Sequence, residues 1–212
     1  MESQVQRLVD KAWKKYQETP DDQRLLVGVA GIPGSGKTTL AQIITNRLNE
    51  HAVKLHPEAP PPTAFLPMDG FHLTRAALSA MPDPTTAHAR RGAAFTFDAP
   101  KFLALDPKEE DIKILPEHRI VVSEGLYLAL DKDVWRDAAA LFDKLWFVEV
   151  DFEVARKRLG ERHVRAGIVK DLEEGDKRAR ENDLVNGEEI IEYRLKVDEV
   201  IQSKEDGSWA HE

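Results

Sequence analysis

The run Gly31-Ile32-Pro33-Gly34-Ser35-Gly36-Lys37-Thr38 sets a glycine, four free positions and then Gly-Lys-Thr, the spacing of a phosphate-binding loop. Its glycines let successive backbone N–H groups converge with no Cβ in the way. Together with the positive end of a following helix dipole, those groups hold phosphate oxygens. Gly31, Pro33, Gly34, Ser35, Gly36, Lys37, Thr38 and Thr39 are therefore the expected nucleotide-binding residues. Lys37 has the reach for the β- and γ-phosphates, and the Thr38 hydroxyl is the expected ligand to Mg²⁺. Chance supplies the four fixed positions in roughly one chain in a hundred of this length. The strand-like and helix-like patterns on either side make an accident rarer still.

Three acids stand where apolar, strand-like runs end: Asp69, Glu124 and Asp151. In an open parallel sheet those ends face the ligand. Phosphoryl transfer asks for a group to take the acceptor's proton, oxygens for Mg²⁺ or its waters, and positive charge on the transferring phosphoryl. Asp69 is the expected base, because it ends a strand near the loop and opens a segment able to hold an acceptor. Asp69-Gly70 is also an ordinary turn pair. Glu124 is assigned to Mg²⁺ or its water shell, although acids also favour helix starts. Asp151 reads as a helix N-cap. Arg158, Arg162 and Arg165 recur at helical spacing, and a guanidinium fork can clamp phosphate oxygens. Arg158 and Arg162 are the expected catalytic arginines of a lid over about residues 152–180, the plainer alternative being a solvated face.

The elements that must position these groups read as alternating strands and helices. Val5, Leu8, Val9, Ala12, Trp13 and Tyr16 make a helical apolar stripe, with both aromatics in its packing face. Leu25–Ala30 is a buried strand, and Leu40, Ile43, Ile44 and Leu48 continue as a helix. Pro57 to Pro62 is an extended connection. Thr63–Met68 follows as a strand that ends, or lies at an edge, at Pro67. From Phe71 to Asp106 periodicity fades, and a long irregular segment inside a compact domain is usually functional. It carries His72, Arg75, Arg90 and Arg91 as polar groups and Phe97 as a wall, so about 70–106 is the expected acceptor site. His118–Ser123 and Leu145–Val150 are further strands. Two helices flank Ala166-Gly167, another includes Leu184 to Leu195, and Val197–Ile201 closes a parallel sheet.

Composition narrows the class. A 212-residue chain without a linker reads as one α/β domain over residues 1–212. A formal charge of −8 argues against a nucleic-acid or membrane partner. Without cysteine there is no disulfide, thiolate nucleophile or Cys-type zinc site. With no signal peptide or apolar span, the expectation is a cytoplasmic protein. Oligomeric state is not legible.

The chain resembles the phosphoribulokinase, uridine kinase and pantothenate kinase group of P-loop small-molecule kinases. The likeness rests on the loop, Met68-Asp69-Gly70-Phe71-His72, Arg90-Arg91-Gly92 with Phe97-Asp98-Ala99-Pro100, Glu124-Gly125-Leu126-Tyr127, Arg158-Leu159 to Arg162-His163, and Asn182-Asp183-Leu184-Val185-Asn186. Typical uridine kinases differ, with Asp-Asp-Phe-Tyr and Phe-Asp-His-Pro at two of these places. The resemblance implies a P-loop domain with strand order 2-3-1-4-5, Asp69 as base, Glu124 near the metal, Tyr127 on the substrate side, and lid arginines at Arg158 and Arg162. Its implied activity is transfer from ATP, with Mg²⁺, to an alcohol of a small molecule. An NTPase switch and a non-catalytic nucleotide binder are the alternatives, neither of which needs an acceptor segment.

Overall fold

The computed structural model describes residues 2–104 and 114–204. The last two residues of the expected acceptor segment, Leu105 and Asp106, lie outside the described residues. Helix α1 (Glu2–Gln17) forms because Val5, Leu8, Val9 and Ala12 fall on one face, and all four are buried. Trp13 and Tyr16 pack at the margin of the same core.

Five parallel strands follow: β1 (Leu25–Gly31), β2 (Thr63–Pro67), β3 (Ile120–Gly125), β4 (Lys144–Glu149) and β5 (Glu199–Gln202). They lie in the order β2-β3-β1-β4-β5, the order the resemblance implied. Alternation along each strand divides the core between the two faces of the sheet. Val27, Val29, Ile120, Val122, Trp146 and Val148 meet α1 and α2 (Lys37–Leu55) on one face. Val121, Leu145 and Phe147 point to the other face, which α6 (Asp133–Ala139), α7 (Phe152–Arg165) and α9 (Leu184–Glu192) cover.

Pro67 ends β2, which is an edge strand as that proline requires. The Asn49 side chain ties α2 to the start of β2, accepting from Thr63 N at 2.9 Å and donating to Thr63 O at 3.0 Å. These bonds set where β2 begins and hence where Asp69 ends up.

The reading of residues 71–104 as irregular needs correction. Three short helices occupy it, α3 (Arg75–Ser79), α4 (Pro84–Ala89) and α5 (Ala99–Leu103). Thr74, Asp83 and Asp98 cap them. Helices of five or six residues are too short to display a 3.6-residue period, so local caps define them instead.

In the lid, α7 is capped by Asp151, whose Oδ1 accepts from Glu153 N and Val154 N at 2.8 and 3.3 Å. It turns at Ala166-Gly167 into α8 (Leu172–Arg178). The two helices touch backbone to backbone: a Cβ on Gly175 would lie 2.6 Å from Gly160 O. Arg156 reinforces the contact through Asp176 at 2.7 Å. After α8 the chain makes a π-helical turn, Ala179–Asp183, before α9, so the expected helix from Leu184 ends at Glu192, short of Leu195.

Gly175→Ala should therefore destabilise the protein. The better helix propensity is worth about 1 kcal/mol, but a backbone contact cannot yield as a side chain can, and overpacking costs about 1–3 kcal/mol. Urea unfolding should show a lower midpoint with unchanged slope; an unchanged or higher midpoint contradicts the close packing.

Candidate active site

The phosphate loop joins β1 to α2 at the carboxyl end of the central strand. Gly34 and Gly36 have φ of 75° and 86°, the left-handed region that favours glycine. At Gly34 there is also no room: a Cβ would stand 2.9 Å from Ala155 O of α7. No side chain caps α2, so the N–H groups of its first turn are left to the concave side of the loop. Ser35 is buried and its Oγ has no partner among the described residues. A cradle with uncapped N–H groups and an unpaired hydroxyl fits a phosphate chain.

Lys37 follows the loop. Desolvation pushes its ammonium below the ordinary lysine range, and Glu124, Asp69 and Asp183 pull it back up. Glu124 closes β3 and is 4% exposed. Burial drives its carboxyl above the ordinary range; Lys37 opposes this, Asp69 adds to it, and a hydrogen bond from Thr38 and the charge of Arg162 oppose it further. Thr38 and Glu124 thus form a bonded pair of oxygens, as hard cations prefer.

Asp69 sits in a 3-10 turn, Met68–Phe71, just past β2, and its side chain is 81% exposed. The adjacent His72 lies with Nε2 3.9 Å from Asp69 Oδ1, its ring stacked on Phe97 at 4.0 Å between centroids. Burial lowers the His72 pKa, Asp69 counters, and the nearby Arg91 lowers it again. Arg91 and Arg75 are exposed. Arg90 donates to Asn186 Oδ1 at 2.7 Å, while its buried Nε has no partner.

Phe97 and Tyr127 are core residues in this structure, 5% and 0% exposed. Phe97 forms the platform under His72. Burial drives the Tyr127 pKa upward, and its hydroxyl donates to Gly92 O at 2.7 Å, holding the turn that follows Arg90 and Arg91. Their part in the site is support from beneath.

The two lid arginines differ. Arg162 is exposed, with its charge acting on both Lys37 and Glu124. Arg158 donates from Nη1 to Gly34 O at 3.2 Å and Ser203 Oγ at 3.0 Å, so it braces the back of the loop.

Sequence reasoning quoted His163, Asp183 and Asn186 only as marks of the family likeness, gave them no role, and did not reach Ser203. Asp183 lies in the π turn, its Oδ2 is hydrogen-bonded to His163 Nε2 at 2.8 Å, and its charge acts on Lys37. Such turns are frequent at functional sites. The available signal was Asn182, Asp183 and Asn186 interrupting an otherwise helical stretch.

The fold and loop define a P-loop kinase. The chain is 42% identical over 167 residues to an ATP-dependent kinase-like protein of Aspergillus versicolor, covering 67% of this chain and 95% of that one. It is 35% identical over 206 residues to a Schizosaccharomyces pombe protein provisionally named a uridine kinase, covering 85% and 83%. A solved structure from Silicibacter sp. TM1040, provisionally described as a fructose transport system kinase, superposes with TM-score 0.72 at 30% identity, covering 91% of this chain and 98% of that one. The chain belongs to the family of P-loop kinases that contains these relatives, in agreement with its motifs. The NB-ARC domain model matches residues 5–55, which hold most of α1, β1, the loop and all of α2. Among the described residues no helix is long and apolar enough to cross a membrane.

Lys37→Ala should abolish nucleotide binding while leaving the circular dichroism of the fold intact. ADP at a hundred times its Kd stabilises a protein by about 2.7 kcal/mol. The variant should lose that stabilisation in a thermal melt; an unchanged ligand-induced shift contradicts the assignment.

Proposed function

We propose that this protein transfers the γ-phosphoryl group of ATP to an alcohol group of a small molecule, with Mg²⁺ as its metal. The observation that carries the reading is the convergence of Lys37, Asp69 and the Thr38–Glu124 pair where β1, β2 and β3 end. Among the described residues no three His, Asp or Glu side chains gather as a metal cage. Thr38 and Glu124 would hold Mg²⁺ or its waters, the remaining positions falling to phosphate oxygens and water, as is usual for this ion. When bound, Mg²⁺ neutralises charge that builds on the phosphate oxygens.

The loop N–H groups and Lys37 bind and orient the phosphates. Asp69, exposed at the mouth of the site, takes the acceptor's hydroxyl proton as that oxygen bonds to the γ-phosphorus. The bond from phosphorus to the β,γ-bridging oxygen breaks, and ADP leaves with the electron pair. Arg162 is placed to offset charge spreading over the equatorial oxygens. An acceptor-independent NTPase is the rival, favoured by the NB-ARC match. That match stops at residue 55, whereas the kinase relatives align with up to 91% of the chain.

Asp69→Asn should keep ATP affinity within a few-fold yet slow transfer by roughly 10²–10⁴, the usual worth of a positioned base. Single-turnover kinetics with ATP saturating would test this, and loss of ATP binding in proportion to rate would instead make Asp69 a structural or metal residue. Arg162→Ala should lower kcat more than it raises the KM for ATP. The opposite split would assign it to ground-state binding.

A further inference from the structure

Away from the site, several arginines rest on carboxylates, Arg47 on Glu2, Arg136 on Asp131, Arg156 on Asp176 and Arg194 on Glu149, while Arg24 bonds a carbonyl and Arg178, like Arg90, keeps a buried Nε without a partner. In the acceptor segment this pairing stops. Arg75 and Arg91 form no ion pair among the described residues, and Arg90 bonds only the neutral amide of Asn186. The Arg90 guanidinium is also not simply solvated, since its Nε is buried without a partner. A buried, unsatisfied donor on a cation is costly, and native structures rarely keep one without a reason.

The surroundings fix these groups in place. Asn186, 2% exposed, holds the Nη2 end of Arg90, and the Tyr127 hydroxyl holds Gly92 O directly after Arg91. Gly92 itself takes a φ of 108°, so the turn presenting the two arginines has a backbone few other residues adopt. His72 Nε2 lies 3.9 Å from Asp69 Oδ1, and the charges of both Asp69 and Arg91 act on the same ring, so a cation and the proposed base share one neighbourhood. A protein of charge −8 repels anions in general, so arginines beside the base that have no carboxylate partner among the described residues serve a local purpose.

Resting on the kinase reading above, we infer that the acceptor is itself an anion: a small polyol bearing a phosphate or carboxylate, held by Arg90 and Arg91 while its free hydroxyl faces Asp69. Neutral sugars and nucleosides would leave both guanidinium groups without a counter-charge. Sites built to bond a polar group discriminate strongly against analogues that lack it. The preference should therefore amount to about tenfold or more in kcat/KM, the worth of one charge-assisted hydrogen bond.

Two measurements on the full chain separate this inference from the reading beneath it. In the first, the protein is loaded with ADP and titrated with inorganic phosphate and, separately, with malonate, following the melting temperature. Stabilisation by either anion in wild type, reduced at least tenfold in apparent affinity by Arg91→Ala and partly restored by Arg91→Lys, supports the anion site even if no transfer is ever seen. Stabilisation by phosphate alone assigns a phosphate ester, and by malonate alone a carboxylate. Absence of both, or equal anion affinity in wild type and Arg91→Ala, overturns the inference. In the second, ADP formation from ATP and Mg²⁺ is compared across ribose, ribose 5-phosphate and ribonate, and across glycerol, glycerol 3-phosphate and glycerate. A tenfold advantage of a charged member supports the proposal. A neutral member equal to or better than its charged counterparts contradicts it while leaving the kinase reading intact.

Discussion

A lysine ammonium withdrawn from water must be compensated, and the geometry of this protein follows from how Lys37 is compensated. Desolvation depresses its pKa, and the carboxylates of Glu124, Asp69 and Asp183 offset that cost. Each carboxylate belongs to a different element: the end of β3, the turn after β2, and the π turn before α9. Only a sheet with β3 between β1 and β2 sets the first two beside the loop. The burial that depresses Lys37 also raises Glu124, and the charge of each opposes the shift of the other. Phosphates and a metal arriving in this site would meet groups already oriented and only partly neutralised.

The loop is bound as closely to the lid as to the sheet. Gly34 approaches Ala155 of α7 at a distance that excludes any side chain, and Arg158 donates to the carbonyl of Gly34. On the far side, Gly160 and Gly175 fuse α7 to α8, with Asp176 gripped by both Arg156 and Arg180. These contacts make the two lid helices one unit that leans on the phosphate loop. Arg162, one turn beyond Arg158, is the lid cation left facing the reactive groups.

What the sequence disclosed and what it hid divide along physical lines. The loop needs glycines at fixed spacing, and strand-end acids follow from short apolar runs, so Lys37, Thr38, Asp69 and Glu124 could all be named from the chain alone. The five strands were legible for the same reason, since two-faced burial leaves short continuous apolar runs. Helices α3, α4 and α5 were not, because five or six residues cannot show a helical period and their caps look like loop residues. Phe97 read as a pocket wall and Tyr127 as a substrate-side residue, but an aromatic beside a polar motif has the same letter whether it faces a ligand or the core. Asp183 and Asn186 went unassigned because a π turn shifts the facing of side chains by a step that no 3.6-residue pattern anticipates.

The account stands on phosphoryl transfer to an organic alcohol, and tracing the label of γ-³²P ATP tests it most directly. Wild-type protein incubated with Mg²⁺, labelled ATP and a mixture of polyols, sugar phosphates and hydroxy acids should move the label into an organic ester. That ester should resist mild acid and yield inorganic phosphate only after alkaline phosphatase. Label appearing solely as inorganic phosphate, at a rate the mixture does not change, would contradict the account and make the protein an NTPase.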